Sequence, residues 1–201
     1  RMRSLELAYA LYSLRWAARA LVGAFVLGSL TLVWRGHRTL RDRMLVGLGL
    51  TALMAVSYVV NFRMAADQIF RQPSVLRMEP VARSTVAEDR LVVGVEIDGH
   101  ARAYPLQYIG YHHQVRDTIA GQQVLVSYCT VCRTGRVFRP TVNGVPETFR
   151  LVGMDRFNAM FEDRTTRSWW RQANGEAVIG PLKGTAMPEL PSVQVTLKQW
   201  V

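Results

Sequence analysis

Two long uncharged apolar runs near the start of the chain restrict its fold more than any other feature. Residues 20–34 carry no charge, and apolar residues extend this run back to about position 15; residues 44–62 form a second run, 19 residues long and also uncharged. A helix of about 20 residues spans the hydrocarbon core of a membrane. The sequence therefore predicts a membrane anchor over residues 1–62, with two transmembrane helices at about 15–34 and 44–62. A buried helical hairpin and a cleaved signal peptide explain two adjacent runs less well.

The basic charge of the chain is concentrated beside these runs. Residues 1–62 contain eight Arg against two acidic residues, which is more than half of the formal net charge of +10. Such an excess next to apolar spans is typical of contact with lipid head groups. The rest of the chain has no basic run interleaved with aromatic residues. We therefore predict a lipid bilayer around the anchor and no nucleic-acid partner.

The loop between the two spans predicts their orientation. Its sequence is RGHRTLRDR, residues 35–43, with four Arg against Asp42. Short basic loops stay on the cytoplasmic side, so the chain from residue 63 onward is expected on the outer side. This places the protein in a bacterial inner membrane, with its C-terminal domain in the periplasm. The Arg residues before the first span favour the opposite orientation.

The remainder of the chain has the pattern of a linker followed by a β domain. Residues 63–89 are predicted to be the linker, because Pro73 and Pro80 impose extended backbone. Residues 90–201 then contain roughly seven or eight short β-branched runs separated by turn pairs. The expected fold of this extracytoplasmic domain is an antiparallel β-sandwich or open barrel. Two-residue hairpin turns are predicted at Asp98-Gly99, Ala120-Gly121 and Asn143-Gly144.

Both cysteines of the chain, Cys129 and Cys132, lie in the stretch SYCTVCRTGRVF at C-x-x-C spacing. A zinc ribbon needs four ligands, usually four cysteines in two pairs, and this chain has only one pair. A c-type haem needs a His after the second Cys, where this chain has Arg133, and a thioredoxin-like site needs a helix at the motif. Three interpretations remain. They are a disulfide, which an oxidising compartment permits, a soft-metal site suited to copper or zinc, and a purely structural pair of small buried residues.

The soft-metal hypothesis takes its third ligand from the stretch YHHQV. His112 lies eight residues before Ala120, and Cys129 lies eight residues after Gly121. Residues equally distant from a hairpin turn face one another in an antiparallel pair. We therefore expect Cys129, Cys132 and His112 to lie close together at the end of the strand QQVLVSY. Because Arg133 adds positive charge beside this site, we expect it to hold neither copper nor zinc.

Four sequence blocks after about residue 89 occur in the order seen in a known family. YCTVCRTGRVF is similar to Tyr-Cys-Pro-Leu-Cys-Gly-Thr followed by a Val-Phe strand, and ARAYPL is similar to Ala-Tyr-Pro-Leu. The other two blocks are HHQVRDTIAGQQVLVSYC and DRTTRSWWRQANGEAVIGPLKG, the second of which fits Asp-x-x-Thr-x-Ser-x-Trp-x-Gln. The chain thus resembles a prokaryotic family, domain of unknown function 3179. The resemblance implies no activity, but it groups Cys129, Cys132 and His112 as one constellation.

The chain departs from the pattern of this family around the cysteines. Thr130 replaces the Pro, and Arg133 replaces the Gly that follows the second Cys. Arg136 and Arg139 stand where the family has apolar and acidic residues. A positive charge beside the cysteines favours thiolates and repels a metal cation. Three arginines on one stretch also suit docking to an acidic protein surface.

These observations support three functional hypotheses, of which the first is favoured by the arginine departures. It is an accessory or structural subunit of a larger integral-membrane complex, such as a bioenergetic complex, with an outer domain that docks on partner subunits. The second is a membrane-anchored metal-binding or thiol-redox protein. The third is an enzyme, although the sequence contains no recognisable catalytic set. Small residues that would let partner helices approach the spans closely are Gly23, Gly28, Gly47 and Gly49.

Overall fold

The structure, a computed structural model, describes residues 2–36 and 39–201. These residues divide into two compact units, one that ends at Ala65 and one that begins at Ala66. His37 and Arg38 of the predicted cytoplasmic loop lie outside the described residues. The first unit contains helices α1 (Met2–Ser13), α2 (Arg15–Arg35) and α3 (Leu40–Tyr58), with a π-helical turn at Val59–Arg63.

Two helical segments of the first unit are long and apolar enough to cross a membrane, Arg15–Arg35 and Leu40–Arg63. Neither α2 nor α3 buries a residue within the described part of the chain. The second segment begins four residues before the predicted span, because Thr39 and Asp42 form a capping box. The Thr39 hydroxyl accepts from the Asp42 N–H at 3.3 Å, and the Asp42 carboxylate accepts from the Thr39 N–H at 3.2 Å, which satisfies two donors of the first turn.

A polar contact connects the start of α2 with the π-helical turn that follows α3. Arg19 donates from Nε and Nη2 to the side-chain oxygen of Asn61, at 3.2 and 2.8 Å. The rings of Trp16 and Phe62 lie beside this pair, with centroids 6.0 Å apart. The two helices are therefore antiparallel, and the guanidinium of Arg19 is hydrogen-bonded at the start of α2.

The second unit, residues 66–201, is mainly antiparallel β, as predicted. It contains the helices α4 (Ala66–Ile69), α5 (Leu106–His112) and α6 (Leu197–Trp200) and a 3-10 turn at Val81–Arg83. Its strands are β1 (Leu91–Ile97), β2 (His100–Pro105), β3 (Gln114–Ile119), β4 (Gln122–Cys129), β5 (Thr134–Phe138), β6 (Thr141–Val142), β7 (Val145–Pro146), β8 (Phe149–Asp155), β9 (Asn158–Asp163), β10 (Trp169–Arg171), β11 (Ala177–Ile179) and β12 (Ser192–Thr196). They form several sheets, in the orders β12-β1-β2, β3-β4-β5, β6-β7 and β11-β10-β9-β8.

The three predicted hairpin turns are confirmed. Each is a two-residue connection between directly paired strand ends, and both residues of each turn have positive φ, for example 49° at Asp98 and 74° at Gly99. The stretches GRVFRP and ETFRLVG, expected as the strands that flank Asn143-Gly144, do not pair across this turn. The turn connects only the two-residue strands β6 and β7, while the preceding stretch forms β5 and pairs with β4.

Both faces of the β3-β4-β5 sheet are covered, and β4 shows this most clearly. Its residues Val124 and Val126 belong to one apolar cluster, with side chains from β1, β2, β3 and α5. Leu125 and Cys129 belong to a second cluster, with side chains from β8, β9, β10 and β11. Alternate residues of a strand point to opposite faces. A strand buried on both faces needs a nearly continuous apolar run, which explains the sequence VLVSYC.

Residues 66–70 pack against the β unit. Phe70 joins the cluster that contains Cys129, and its ring meets the ring of His113 edge-on with centroids 4.7 Å apart. Asp67 forms an ion pair with Arg150 at 3.1 Å. The first part of the segment predicted as a linker, from α4 to Phe70, is therefore structured and attached to the domain that follows.

Candidate functional site

The cysteine motif forms the turn between two central strands. Cys129 is the last residue of β4 and pairs with Thr134, the first residue of β5. Between them Arg133 has a φ of 52°, a left-handed conformation that side chains with a Cβ disfavour. The side chain of Gln194 on β12 fixes this turn, because it accepts from the Gly135 N–H at 3.0 Å and donates to the Arg133 carbonyl at 3.4 Å.

The two cysteines are in contact, as predicted, and neither forms a disulfide. Cys129 is buried, with 1% of its surface exposed, and Cys132 is half-buried. The backbone N–H of Cys132 donates to the sulfur of Cys129 at 3.4 Å. The Cys129 thiol in turn lies 3.3 Å from the Phe157 carbonyl, to which it donates when protonated. Cys129 therefore occupies a closed site surrounded by backbone groups.

The surroundings separate the acidities of the two thiols. Burial raises the pKa of Cys129, but hydrogen bonds from the Cys132 thiol and from the backbone N–H groups of Cys132, Ala159 and Val131 outweigh burial, so its pKa lies below the ordinary value. Burial raises the pKa of Cys132 to about 11, and the hydrogen bond to Cys129 and the charge on Cys129 act in the same direction. The thiolate thus forms first on the enclosed sulfur, where N–H groups stabilise it.

A buried glutamine connects the cysteine turn to β10. Gln172 has no exposed surface, and its amide nitrogen donates to the Ser127 hydroxyl at 3.1 Å and to the Thr134 carbonyl at 3.0 Å. Its amide oxygen is the acceptor for the Cys132 thiol, at 3.9 Å. Because both N–H donors are used on neighbouring strands, the carbonyl has one orientation available, toward Cys132. Sequence reasoning did not single out Gln172, although the Trp-x-Gln spacing contained it.

One buried carboxylate organises the segment that leads to Gln172. Asp163 has no exposed surface, and its oxygens accept from three backbone N–H groups, a hydroxyl and an indole. These donors belong to Thr166, Arg167, Ser168 and Trp170. The Asp-x-x-Thr-x-Ser-x-Trp pattern is therefore the signature of a turn centred on a carboxylate. This turn sets the start of β10 and so places Gln172 in contact with Cys132.

His112 does not lie opposite Cys129, and that prediction was wrong. Helix α5 ends at His112, and β3 begins only at Gln114, which pairs with Ser127. His113 caps the helix with a φ of 60°, so the ladder ends at the pair Gln114 and Ser127, two pairs short of His112 and Cys129. The expected register is correct, but it does not extend to His112. The ring Nδ1 of His112 instead contacts the backbone carbonyl of Arg71.

The neighbouring His113 lies closer to the cysteine motif along the hairpin. Its ring Nδ1 is 3.1 Å from the carbonyl of Tyr128, the residue before Cys129. Burial lowers the pKa of His113 below its ordinary value, and the hydrogen bond to Tyr128 opposes this only in part. The ring is therefore neutral at pH 7. Packing against Phe70 fixes its plane.

The three residues predicted to hold a metal are thus divided, with two cysteines together and His112 bonded elsewhere. Across the described ranges 2–36 and 39–201, no group of three or more His, Cys, Asp and Glu side chains is arranged to hold a metal ion. Two thiolates alone remain as soft donors. The geometry is that of a dithiol with one closed and one approachable sulfur.

The arginines predicted to dock a partner have different surroundings. Arg136 forms an ion pair with Glu189 at 3.0 Å, and Arg139 donates to the side-chain oxygen of Gln122 at 3.1 Å. Arg133 is exposed in the turn between the strands. Docking through this stretch stays a prediction, and Arg133 is the member of the three that presents its side chain next to the cysteines.

Comparison with known proteins supports the resemblance seen in the sequence blocks. A family profile described as "Protein of unknown function (DUF3179)" matches residues 71–201. No curated protein and no solved structure matches the chain. The matched range contains the cysteine turn, Gln172 and the Asp163 turn, and it begins directly after Phe70.

Proposed function

We propose, for a chain that belongs to the DUF3179 family of proteins of unknown function, that Cys129 and Cys132 alternate between a dithiol and a disulfide in exchange with a thiol-bearing partner. The helices α2 and α3 anchor the protein in a bacterial inner membrane. The layered β-sandwich domain then faces the periplasm, an oxidising compartment in which disulfides persist. This function is the thiol-redox hypothesis of the sequence, without His112.

The observation that carries this proposal is the enclosed sulfur of Cys129. Its contact with the Cys132 N–H at 3.4 Å, together with its lowered pKa, makes Cys129 a good leaving group, since thiols of lower pKa leave faster in exchange. Cys132 is the sulfur open to approach. Two structural cysteines would need neither a lowered pKa nor different exposure.

The exchange proceeds in two displacements. In the first, a partner thiolate attacks the Cys132 sulfur of the disulfide, the protein S–S bond breaks, and Cys129 leaves as a thiolate. In the second, the other thiolate of the partner attacks the partner sulfur that is bonded to Cys132 in the mixed disulfide. This step forms the partner disulfide and releases Cys132 as a thiolate. The two protons of the partner thiols end on Cys129 and Cys132. The partner dithiol loses two electrons, the protein disulfide gains them, and reoxidation is the reverse reaction with a disulfide-bearing partner.

A redox titration of the full chain in detergent tests this proposal. The protein is equilibrated with mixtures of reduced and oxidised dithiothreitol or glutathione, and free thiols are counted after alkylation. We expect a two-electron transition above about −300 mV, the range of exchangeable rather than structural disulfides. Cys129→Ser and Cys132→Ser should each abolish the transition. A midpoint below about −300 mV, or no disulfide under oxidising conditions, would refute the proposal.

Elemental analysis of the same samples tests the metal alternative. Stoichiometric copper or zinc that is lost in Cys129→Ser and retained in His112→Ala would assign the two thiolates to metal binding instead. With the dithiol function, the purified protein carries neither metal.

A second candidate, an accessory subunit of a larger integral-membrane complex, is supported by the surface of α2. A Cβ built at Gly23 or Gly28 would meet no atom within 4 Å, and α2 buries no residue in the described chain. Close approach of a partner helix is the usual role of small residues in a membrane span. Arg133 would supply the contact of the outer domain with an acidic surface.

Purification from the native membrane under mild detergent tests the second candidate. A stable stoichiometric complex, weakened by Gly23→Leu or Gly28→Leu and unaffected by Cys129→Ser, would support it. Recovery of the chain without a stoichiometric partner would rule it out and leave the dithiol function standing.

A further inference from the structure

A groove at the loop end of the helical unit combines apolar walls with two guanidinium groups. It has a volume of about 850 Å³ and is lined by Trp34 of α2 and by residues of the first part of α3. Leu45, Gly47 and Leu48 form its apolar part, and Arg41 and Arg43 form its charged end. A Cβ built at Gly47 would meet no atom within 4 Å. The groove is therefore open along the helix for several residues beyond the charges.

The charged end of the groove lacks a counter-charge from the described residues that line it. The guanidinium of Arg43 lies over the Trp34 ring, 5.6 Å from its centroid. The Nε of Arg43 is covered by protein and has no hydrogen-bond partner among the described residues. Asp42 is the nearest acid in sequence, but its carboxylate accepts from the Thr39 N–H in the helix cap. The lining thus contains two guanidinium groups and no acidic side chain, so this end favours an anionic ligand.

We infer that this groove binds one anionic phospholipid, with its phosphate on Arg41 and Arg43 and an acyl chain along Leu45, Gly47 and Leu48. The inference rests on the membrane anchoring proposed above. A soluble phosphate would satisfy the guanidinium groups but leave the apolar walls in water. A partner helix would cover the apolar walls but would also need an acidic side chain at this end to pair the charges. A lipid supplies both chemistries in the required order, headgroup at the helix end and hydrocarbon further along.

The position of the site also agrees with the expected orientation. The loop end of the helices is predicted to face the cytoplasm, and the cytoplasmic leaflet contains the anionic lipids that attract basic segments beside a span. Trp34 lies at the level where aromatic residues are enriched at membrane interfaces. The ligand is therefore a lipid of the inner leaflet, with a net negative rather than zwitterionic headgroup.

Native mass spectrometry of the delipidated full chain in detergent tests the charged end. Dioleoylphosphatidylglycerol is the probe, and dioleoylphosphatidylcholine and inorganic phosphate are the comparisons. We expect one phosphatidylglycerol to bind about tenfold more tightly than phosphatidylcholine, and Arg43→Gln to weaken its binding by about tenfold. Arg35→Gln, an equal change of charge on an exposed residue outside the groove, should have little effect, and Arg43→Lys should recover part of the affinity.

A second pair of variants tests the hydrocarbon part without altering charge. Gly47→Leu fills the groove and should weaken phosphatidylglycerol binding, whereas Gly23→Leu on α2 should not. The inference would be overturned by equal losses of affinity in Arg43→Gln and Arg35→Gln, or by equal affinity for the two lipids. It would also be overturned if inorganic phosphate displaced the lipid, or if Gly47→Leu bound phosphatidylglycerol as tightly as the wild type. A photo-crosslinker at position 47 that captures protein rather than lipid in native membranes would do the same.

The test of the lipid site can be separated from the test of the proposed thiol function. The redox midpoint of the cysteine pair in Arg43→Gln should equal that of the wild type, because the groove lies in the other unit. A chain that remains soluble without detergent would refute the membrane anchoring itself, whereas a detergent-dependent chain without lipid selectivity would refute only the lipid site.

Discussion

At the scale of single residues, Arg133 is the clearest departure from what the backbone requires. Its φ of 52° falls in the region where a Cβ crowds the following carbonyl, at a cost of about 1–2 kcal/mol. The related family has Gly at this position, which has no such cost. The sequence identified the substitution but could not show why Gly is preferred, because a φ angle is a property of the folded turn.

We predict that Arg133→Gly stabilises the β unit by up to about 1 kcal/mol, since the relief of the left-handed strain exceeds the added freedom of the unfolded chain. Arg133→Ala keeps the Cβ and should give no such gain. Denaturant unfolding of the three proteins measures the difference. An equal gain in both variants would show that the guanidinium, and not the backbone conformation, is responsible.

Gln172 is the residue on which the cysteine turn depends and which spacing alone did not reveal. Its partners Ser127 and Cys132 are 45 and 40 positions away along the chain, and such contacts leave no local pattern in one sequence. Replacement by Met keeps the size but removes the hydrogen bonds from the amide to the Ser127 hydroxyl and the Thr134 carbonyl. Gln172→Met should therefore lower the free energy of unfolding by about 1–3 kcal/mol and raise the rate of Cys132 alkylation.

Gln123→Met is the matched control for this variant. Gln123 is exposed on β4, so its replacement should change the free energy of unfolding by no more than about 0.5 kcal/mol. Unchanged stability and unchanged alkylation in Gln172→Met would show that the buried amide does not position the turn.

His113 should make stability depend on pH in a defined direction. Burial lowers its pKa, so below the ordinary value of about 6.5 the unfolded chain binds a proton that the folded chain does not. The free energy of unfolding then falls as the pH falls from this value toward the folded-state pKa. His113→Asn, which tolerates positive φ, should lose less stability between about pH 7 and 5 than the wild type. His100→Asn, at an exposed histidine, should follow the wild type.

At the scale of elements, turns were predicted better than the helix between them. Two-residue turns depend on local residues that accept positive φ, so Asp98-Gly99 could be identified from both its residues and Ala120-Gly121 from its Gly. Helix α5 was missed because only Leu106 and Ile109 mark its inner face, and Gly110 weakens its helical pattern. The misplaced start of β3, and with it the error at His112, follows from that missing helix.

The attachment of residues 66–70 to the β unit leads to a prediction at this scale. Phe70 is half-buried against the cluster of Cys129, although it precedes the region matched by the family. Phe70→Ala should lower the free energy of unfolding of the β unit by about 2 kcal/mol, roughly half the loss for a fully buried Phe. Val75→Ala, at a residue that is 68% exposed, should be close to neutral. Equal effects of the two variants would show that this segment contributes nothing specific.

At the scale of the whole molecule, the two units differ in what the sequence could establish. Helix length and the absence of charge follow directly from composition, and the structure contains two segments that could span a membrane. The arrangement of the β sheets could not be read in the same way, since β1 pairs with β12 and β4 is covered on both faces. These contacts join distant parts of the chain.

The predicted membrane anchoring and its orientation are open to direct measurement. In a Cys129→Ser, Cys132→Ser background, a cysteine at Thr39 should react with a membrane-impermeant maleimide only when the cytoplasmic face is accessible, because basic loops stay inside. A cysteine at exposed Asp98 should react only from the other side. Reaction of the Thr39 cysteine from the periplasmic face alone would reverse the orientation.

The pairing of β1 with β12 also sets the order in which the domain can be completed during synthesis. Leu91 pairs with Thr196 and Val95 with Ser192, so one edge of β1 has no partner until the last strand has been made. At about 5–20 residues per second, the roughly 100 residues between them take on the order of 5–20 s. Throughout that interval β1 presents free backbone groups to any other nascent strand. That edge of β1 is therefore open to non-native pairing until β12 has been made.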